Sequence, residues 1–166
     1  MSDKIVHELV VFREFLAAAG LDVDDSSIEP KEPPAPDVFC HLAGEPHFFE
    51  LGRLLDRESP RLRLEALRQY PDLVSVDPTK FGLPEQDILR QKLGKSYDTA
   101  GYPVELVLYY DCGPDAFLTY STPPPMDLSP EFIKTVILPE CGSTLGPFRR
   151  IWFFERFRRR VLWKHP

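Results

Sequence analysis

The chain contains no run of about 18 apolar residues, which leaves it without a transmembrane candidate. Its N-terminus lacks the basic region and apolar stretch of a signal peptide, so the cytoplasm is the expected location. Cysteine is scarce: Cys40, Cys112 and Cys141 are odd in number, widely spaced and outside any CxxC pair. That argues against a disulfide framework or a cysteine-rich zinc site and suits buried thiols. The histidines, His7, His41, His47 and His165, show no metal-ligand spacing, and the adjacent Cys40 and His41 would point to opposite faces of a strand. There is no phosphate-binding P-loop, no dinucleotide fingerprint and no GxSxG. A kinase, a P-loop nucleotidase and a dehydrogenase therefore have no support.

What the chain does have is proline, 18 of them in 166 residues, enough to cut it into short elements and rigid turns. An apolar content of 43% is ordinary for a globular protein, and the length fits one domain over residues 1–166. The net charge of −6 is uneven. Residues 148–166 carry Arg149, Arg150, Arg156, Arg158, Arg159, Arg160 and Lys164 against the single acid Glu155, a net of +6, so the preceding residues sum to −12. The whole chain is not a basic nucleic-acid binder, but its C-terminal segment could meet a phosphate backbone locally.

Hydrophobic spacing predicts a helix over residues 3–19, with Ile5, Leu9, Val10, Phe12, Phe15, Leu16 and Ala19 as its stripe, Ser2 or Asp3 as cap and Gly20 as terminator. Residues 21–36 read as an acidic, proline-rich connector of extended or loop conformation. Residues 53–70 suggest a loop and then a helix stopped by Pro71, and residues 72–83 look irregular. Pro84 opens a helix expected to run to Ser96 despite Gly94. Residues 104–110 form the best buried strand, Ser129 and Pro130 open a short helix through Leu138, and residues 151–154 read as a last strand. This order predicts an α/β fold, a central mixed sheet flanked by helices.

The richest stretch is Pro36 to Gly52. It reads as two short apolar strands joined across Ala43-Gly44-Glu45-Pro46. Val38, Cys40 and Leu42 would share one face and Phe39 and His41 the other; Phe48 would share a face with Glu50. Antiparallel pairing brings Asp37 and Glu50 together at one end of the hairpin, where two carboxylates suit a hard divalent cation.

With Pro36-Asp37 opening a hairpin, Glu50 in its second strand, a helix carrying Gln91, Lys92 and Lys95, and the buried strand that follows, residues 3–111 resemble the PD-(D/E)xK nuclease superfamily. The resemblance implies a restriction-endonuclease-like fold and metal-dependent hydrolysis of phosphodiesters in DNA or RNA. It implies Asp37 and Glu50 as ligands of Mg2+ or Mn2+, with a first-helix glutamate near the metal, Glu8 by position and Glu14 second. The family's lysine falls two residues after the glutamate, where this chain has Gly52. Arg53 points to the other face and stays protonated. Some members place the lysine on the following helix, which nominates Lys92 or Lys95 here.

The segment from Phe148 to Trp163 interleaves aromatics with arginines. It can be read as a base-stacking, phosphate-tracking surface, as a final strand or helix with Trp152, Phe154 and Phe157 in the core, or as a surface pairing with the acidic part of another copy in a homo-oligomer. A degenerate nuclease-fold binding or assembly module and a small cytoplasmic interaction protein are the alternatives to an active enzyme.

Overall fold

The computed structural model describes residues 3–54, 84–110, 130–142, 144–156 and 158–166. The expectations for residues 55–83 and 111–129, and for Phe157, lie outside these residues.

Helix α1 spans Asp3–Ala19 and buries Val11, Phe12, Phe15 and Leu16. Val10 is 41% exposed, so Val11 takes the core position that spacing had given to Val10. The helix ends at Gly20, and the Leu21 amide donates to the Leu16 carbonyl at 3.2 Å, closing the last turn. The acidic connector is more ordered than its composition suggests. Asp24 caps a 3-10 turn at Asp25–Ser27, and the two-residue strand β1, Glu29–Pro30, follows. Ser27 Oγ then accepts from the His41 amide at 2.8 Å, stitching the connector to its neighbouring strand.

Strands β2 (Val38–Leu42) and β3 (Glu45–Arg53) form an antiparallel hairpin. The turn is tighter than the four residues expected. Ala43 and Gly44 alone make it, with φ of 51° and 85°, the double left-handed geometry that suits the twist of a two-residue hairpin. Helix α2 is Pro84–Leu93 and β4 is Val104–Tyr110. The expected extension of α2 to Ser96 fails at Gly94, so Lys95 and Ser96 lie beyond the helix in the turn that leads away from it. The short helix expected after Ser129 is irregular: α-helical over Pro130–Phe132, π over Ile133–Ile137 and 3-10 over Leu138–Cys141. Strand β5, Arg150–Glu155, turns back into β6, Arg160–His165. The basic C-terminal segment is thus built around a hairpin.

The described residues form a six-stranded mixed sheet in the order β1-β2-β3-β4-β5-β6. β3, β4 and β5 run parallel, and the outer strands are antiparallel to their neighbours. The fold is α/β. α1 covers one face through an aromatic cluster in which Phe12 lies 5.0 Å from Phe49 and Phe15 lies 5.3 Å from Trp152. Leu89 of α2 and Ile133 of the irregular helix cover the other face, against Phe48, Leu106, Leu108 and Phe153. Cover on both sides explains why all seven residues of β4 are buried. Among the described residues, no helix is long and apolar enough to cross a membrane.

Candidate metal and phosphate site

The hairpin register pairs Val38 with Phe49. One step further, Asp37 stands across from Glu50, both on the face covered by α2. Two backbone amides fix the pair. Leu51 N–H donates to Asp37 Oδ2 at 2.8 Å, and Asp37 N–H donates to Glu50 Oε2 at 3.3 Å. Each carboxylate is therefore held by the strand that carries the other.

Lys92 enters from the last turn of α2. Its Nζ donates to Glu50 Oε1 at 2.5 Å and to the Leu51 carbonyl at 2.7 Å. Lys95 approaches the same Glu50 oxygen at 3.5 Å from just past the helix end. Glu50 is only 3% exposed, so this buried charge is compensated chiefly by Lys92.

The glycine at position 52 has a steric cause. A Cβ there would lie 2.6 Å from Leu108 Cδ2, 3.3 Å from Ile88 Cγ2 and 3.7 Å from Lys92 Cε. The room that a strand lysine would need is taken by the packing of α2 on β4 and by the stem of Lys92. An ammonium group thus reaches Glu50 from the helix and not from the strand.

Around this pair lies an open cleft of about 920 Å³. Lys4, His7 and Glu8 of α1 line one side, Gln91, Lys92 and Lys95 another, and Arg53, Tyr97 and Tyr109 also border it. Burial, and then the charge of Glu50, push the Asp37 carboxyl up to about 6; the Leu51 amide and Lys92 oppose the rise, and Glu8 adds to it. The Tyr97 hydroxyl is buried and lies near Glu50. Burial and the nearby Glu50 charge push its pKa up.

Of the two first-helix glutamates, Glu8 borders the cleft and pairs with Lys4 at 3.2 Å, whereas Glu14 pairs with Arg156 at 2.6 Å. Neither joins Asp37 and Glu50 in a ligand cluster: among the described residues, no three carboxylate, imidazole or thiolate groups gather as a metal-binding set. The third oxygen beside the pair is the Leu51 carbonyl, which residue-type patterns do not register because it belongs to the backbone. Tyr97 was equally invisible, since it follows the helix in a turn with no motif around it.

The C-terminal arginines lie elsewhere. Arg150 is within 3.4 Å of Glu105, and Arg158 and Arg160 lie 3.8 Å and 2.6 Å from Glu155. With Arg156 on Glu14, four of the six nominated arginines engage carboxylates of the chain itself, and Arg149 and Arg159 remain exposed. None of the six borders the cleft.

No protein-family model, curated protein or solved structure matches the chain.

Proposed function

We propose that this protein is a metal-dependent phosphodiesterase acting on nucleic acid, a restriction-endonuclease-like member of the PD-(D/E)xK group whose lysine has moved to the helix after the hairpin. The observation that carries this reading is the convergence of Asp37, Glu50 and the Lys92 ammonium above a glycine that leaves room for it. The fit to a cation follows from the donor set. Two carboxylates and the Leu51 carbonyl are all oxygen, which suits Mg2+ or Mn2+ rather than zinc. Asp37 and Glu50 would hold such an ion, which when bound polarises a phosphate oxygen and acidifies a water.

The chain's own groups supply the rest. Asp37 and Glu50 are oriented by strand amides, so little side-chain freedom is lost when they act. Lys92 presents a positive charge where the negative charge of a pentacoordinate phosphate would accumulate. Lys4, Arg53 and Lys95 give the cleft a cationic border for the flanking phosphates, which an otherwise acidic chain needs locally. A second reading, binding without hydrolysis, draws on the double neutralisation of Glu50 by Lys92 and Lys95.

The test is cleavage of plasmid DNA, single-stranded DNA and structured RNA with Mn2+ or Mg2+ at low salt. Cation-dependent cleavage of at least one substrate, abolished by Asp37→Asn and by Glu50→Gln, is expected. Binding without cleavage would favour the second reading, and neither binding nor cleavage would refute both.

A further inference from the structure

We infer that the Lys92 ammonium and the divalent cation compete for the same oxygens, so that Lys92 acts as a stopper that must be displaced before the site is loaded. The inference rests on the cation reading above and concerns how that site is regulated. The Lys92 nitrogen lies 2.5 Å from Glu50 Oε1 and 2.7 Å from the Leu51 carbonyl oxygen. A magnesium ion on those two oxygens would sit about 2.1 Å from each. Two positive centres cannot share that position. With its side chain 13% exposed and that of Glu50 4%, the ammonium is also largely shielded from water, so its hold on the carboxylate is little screened.

The surroundings provide a way out for the stopper. Lys92 has a flexible four-carbon stem and borders the open cleft. The cleft that receives the displaced ammonium is where a phosphodiester would lie. Cation and phosphate should therefore favour each other's binding: the ion frees the ammonium, and the phosphate gives it a new partner. Such coupling is reciprocal by linkage.

Calorimetric titration with Mn2+ tests the competition in wild type, Lys92→Met and Lys95→Met, each first checked for folding by circular dichroism. Lys92→Met removes the charge but keeps most of the stem. The loss of one charge-assisted competitor should tighten Mn2+ binding at least about tenfold. Lys95→Met, at the longer 3.5 Å separation and with a side chain 45% exposed, should change it far less. Should Lys92→Met fail to fold, Lys92→Gln replaces it, with the rise in melting temperature on adding Mn2+ as a second readout.

Tighter binding in the Lys92 variant alone supports the stopper. Unchanged or weaker binding there, with a wild type that binds, overturns it and leaves the metal-site reading intact. Equal gains in both lysine variants also overturn it, because a general field and not occupancy of the ligand position would then be at work. Failure of every folded variant to bind overturns the stopper and the metal site together.

Discussion

Two buried glutamates on neighbouring strands meet opposite fates. Glu105 is 1% exposed and Glu50 is 3% exposed, so burial does not separate them. Their partners do. Trp152 Nε1 donates to Glu105 Oε2 at 2.5 Å, while His47 Nε2 lies 3.2 Å and Arg150 Nη1 3.4 Å from Oε1. Three strands thus converge on one carboxylate. Burial alone would raise its pKa, but the bonds from His47 and Trp152 and the charge of Arg150 prevail and hold it below the usual range. Glu50 instead faces a second carboxylate and borders an open cleft. A closed set of donors makes a buried acid structural; an opposed acid and an open side make it available for chemistry.

The largest contrast should come from neutralising each acid in turn. Glu50→Gln or Asp37→Asn should lower cation-dependent cleavage on the order of a thousandfold; Asp37→Asn should leave the melting temperature unchanged or higher, because a repulsive pair is relieved, whereas Glu50→Gln also takes away the partner of the Lys92 ammonium. Glu105→Ala should do the reverse. It strands the Trp152 N–H and the Arg150 charge and should cost about 3 kcal/mol in chemical denaturation, with cleavage per folded molecule retained. A Glu105 variant that unfolds at the wild-type midpoint would erase the distinction between the two acids.

A smaller effect should follow from position 52. Gly52→Ala places a methyl group 2.6 Å from Leu108 Cδ2 and should destabilise by about 1–3 kcal/mol through overpacking. Gly52→Lys, which restores the usual motif spacing, should lose stability at least as much and gain no activity. If that variant cleaved faster than wild type, the helix lysine would be a poor substitute and the steric account of Gly52 would fail.

The hairpin was legible because period-two alternation is strict. Once Val38 and Cys40 face α1, Asp37 must share a face with Phe39, and Glu50 with Phe48. The buried strand β4 was legible as an apolar run. The lysine was narrowed to Lys92 or Lys95 but not decided, because that depends on where α2 ends and how it sits on the sheet. Gly94 ends it early and leaves Lys92 the closer of the two. The Glu105 cluster gave no signal: its four members are scattered over β3, β4 and β5, and only strand register gathers them. The sixth strand went unread because the basic run Arg158-Arg159-Arg160 and then Lys164 flank the short apolar Val161, Leu162 and Trp163.

The subtlest consequence is a pair of opposite pH dependences. Asp37 has a folded pKa of about 6 against an ordinary 3.8. Between those values the folded state keeps a proton that the unfolded chain has released, so this group's contribution to stability falls as pH rises through the window. Glu105 runs the other way. Its folded pKa lies below the ordinary 4.5, so its stabilisation is complete above that value and is lost as pH falls through the folded one. Urea midpoints measured across both ranges should show the Asp37 decline vanish in Asp37→Asn and the acid-side loss vanish in Glu105→Gln. Saturating Mn2+ should cancel the first and leave the second untouched, since a cation on Asp37 takes the place of its proton and nothing in the Glu105 cluster faces the cleft. A difference between wild type and Asp37→Asn that stays flat from 3.8 to about 6 would mean that Asp37 is not buried beside Glu50 as the register places it.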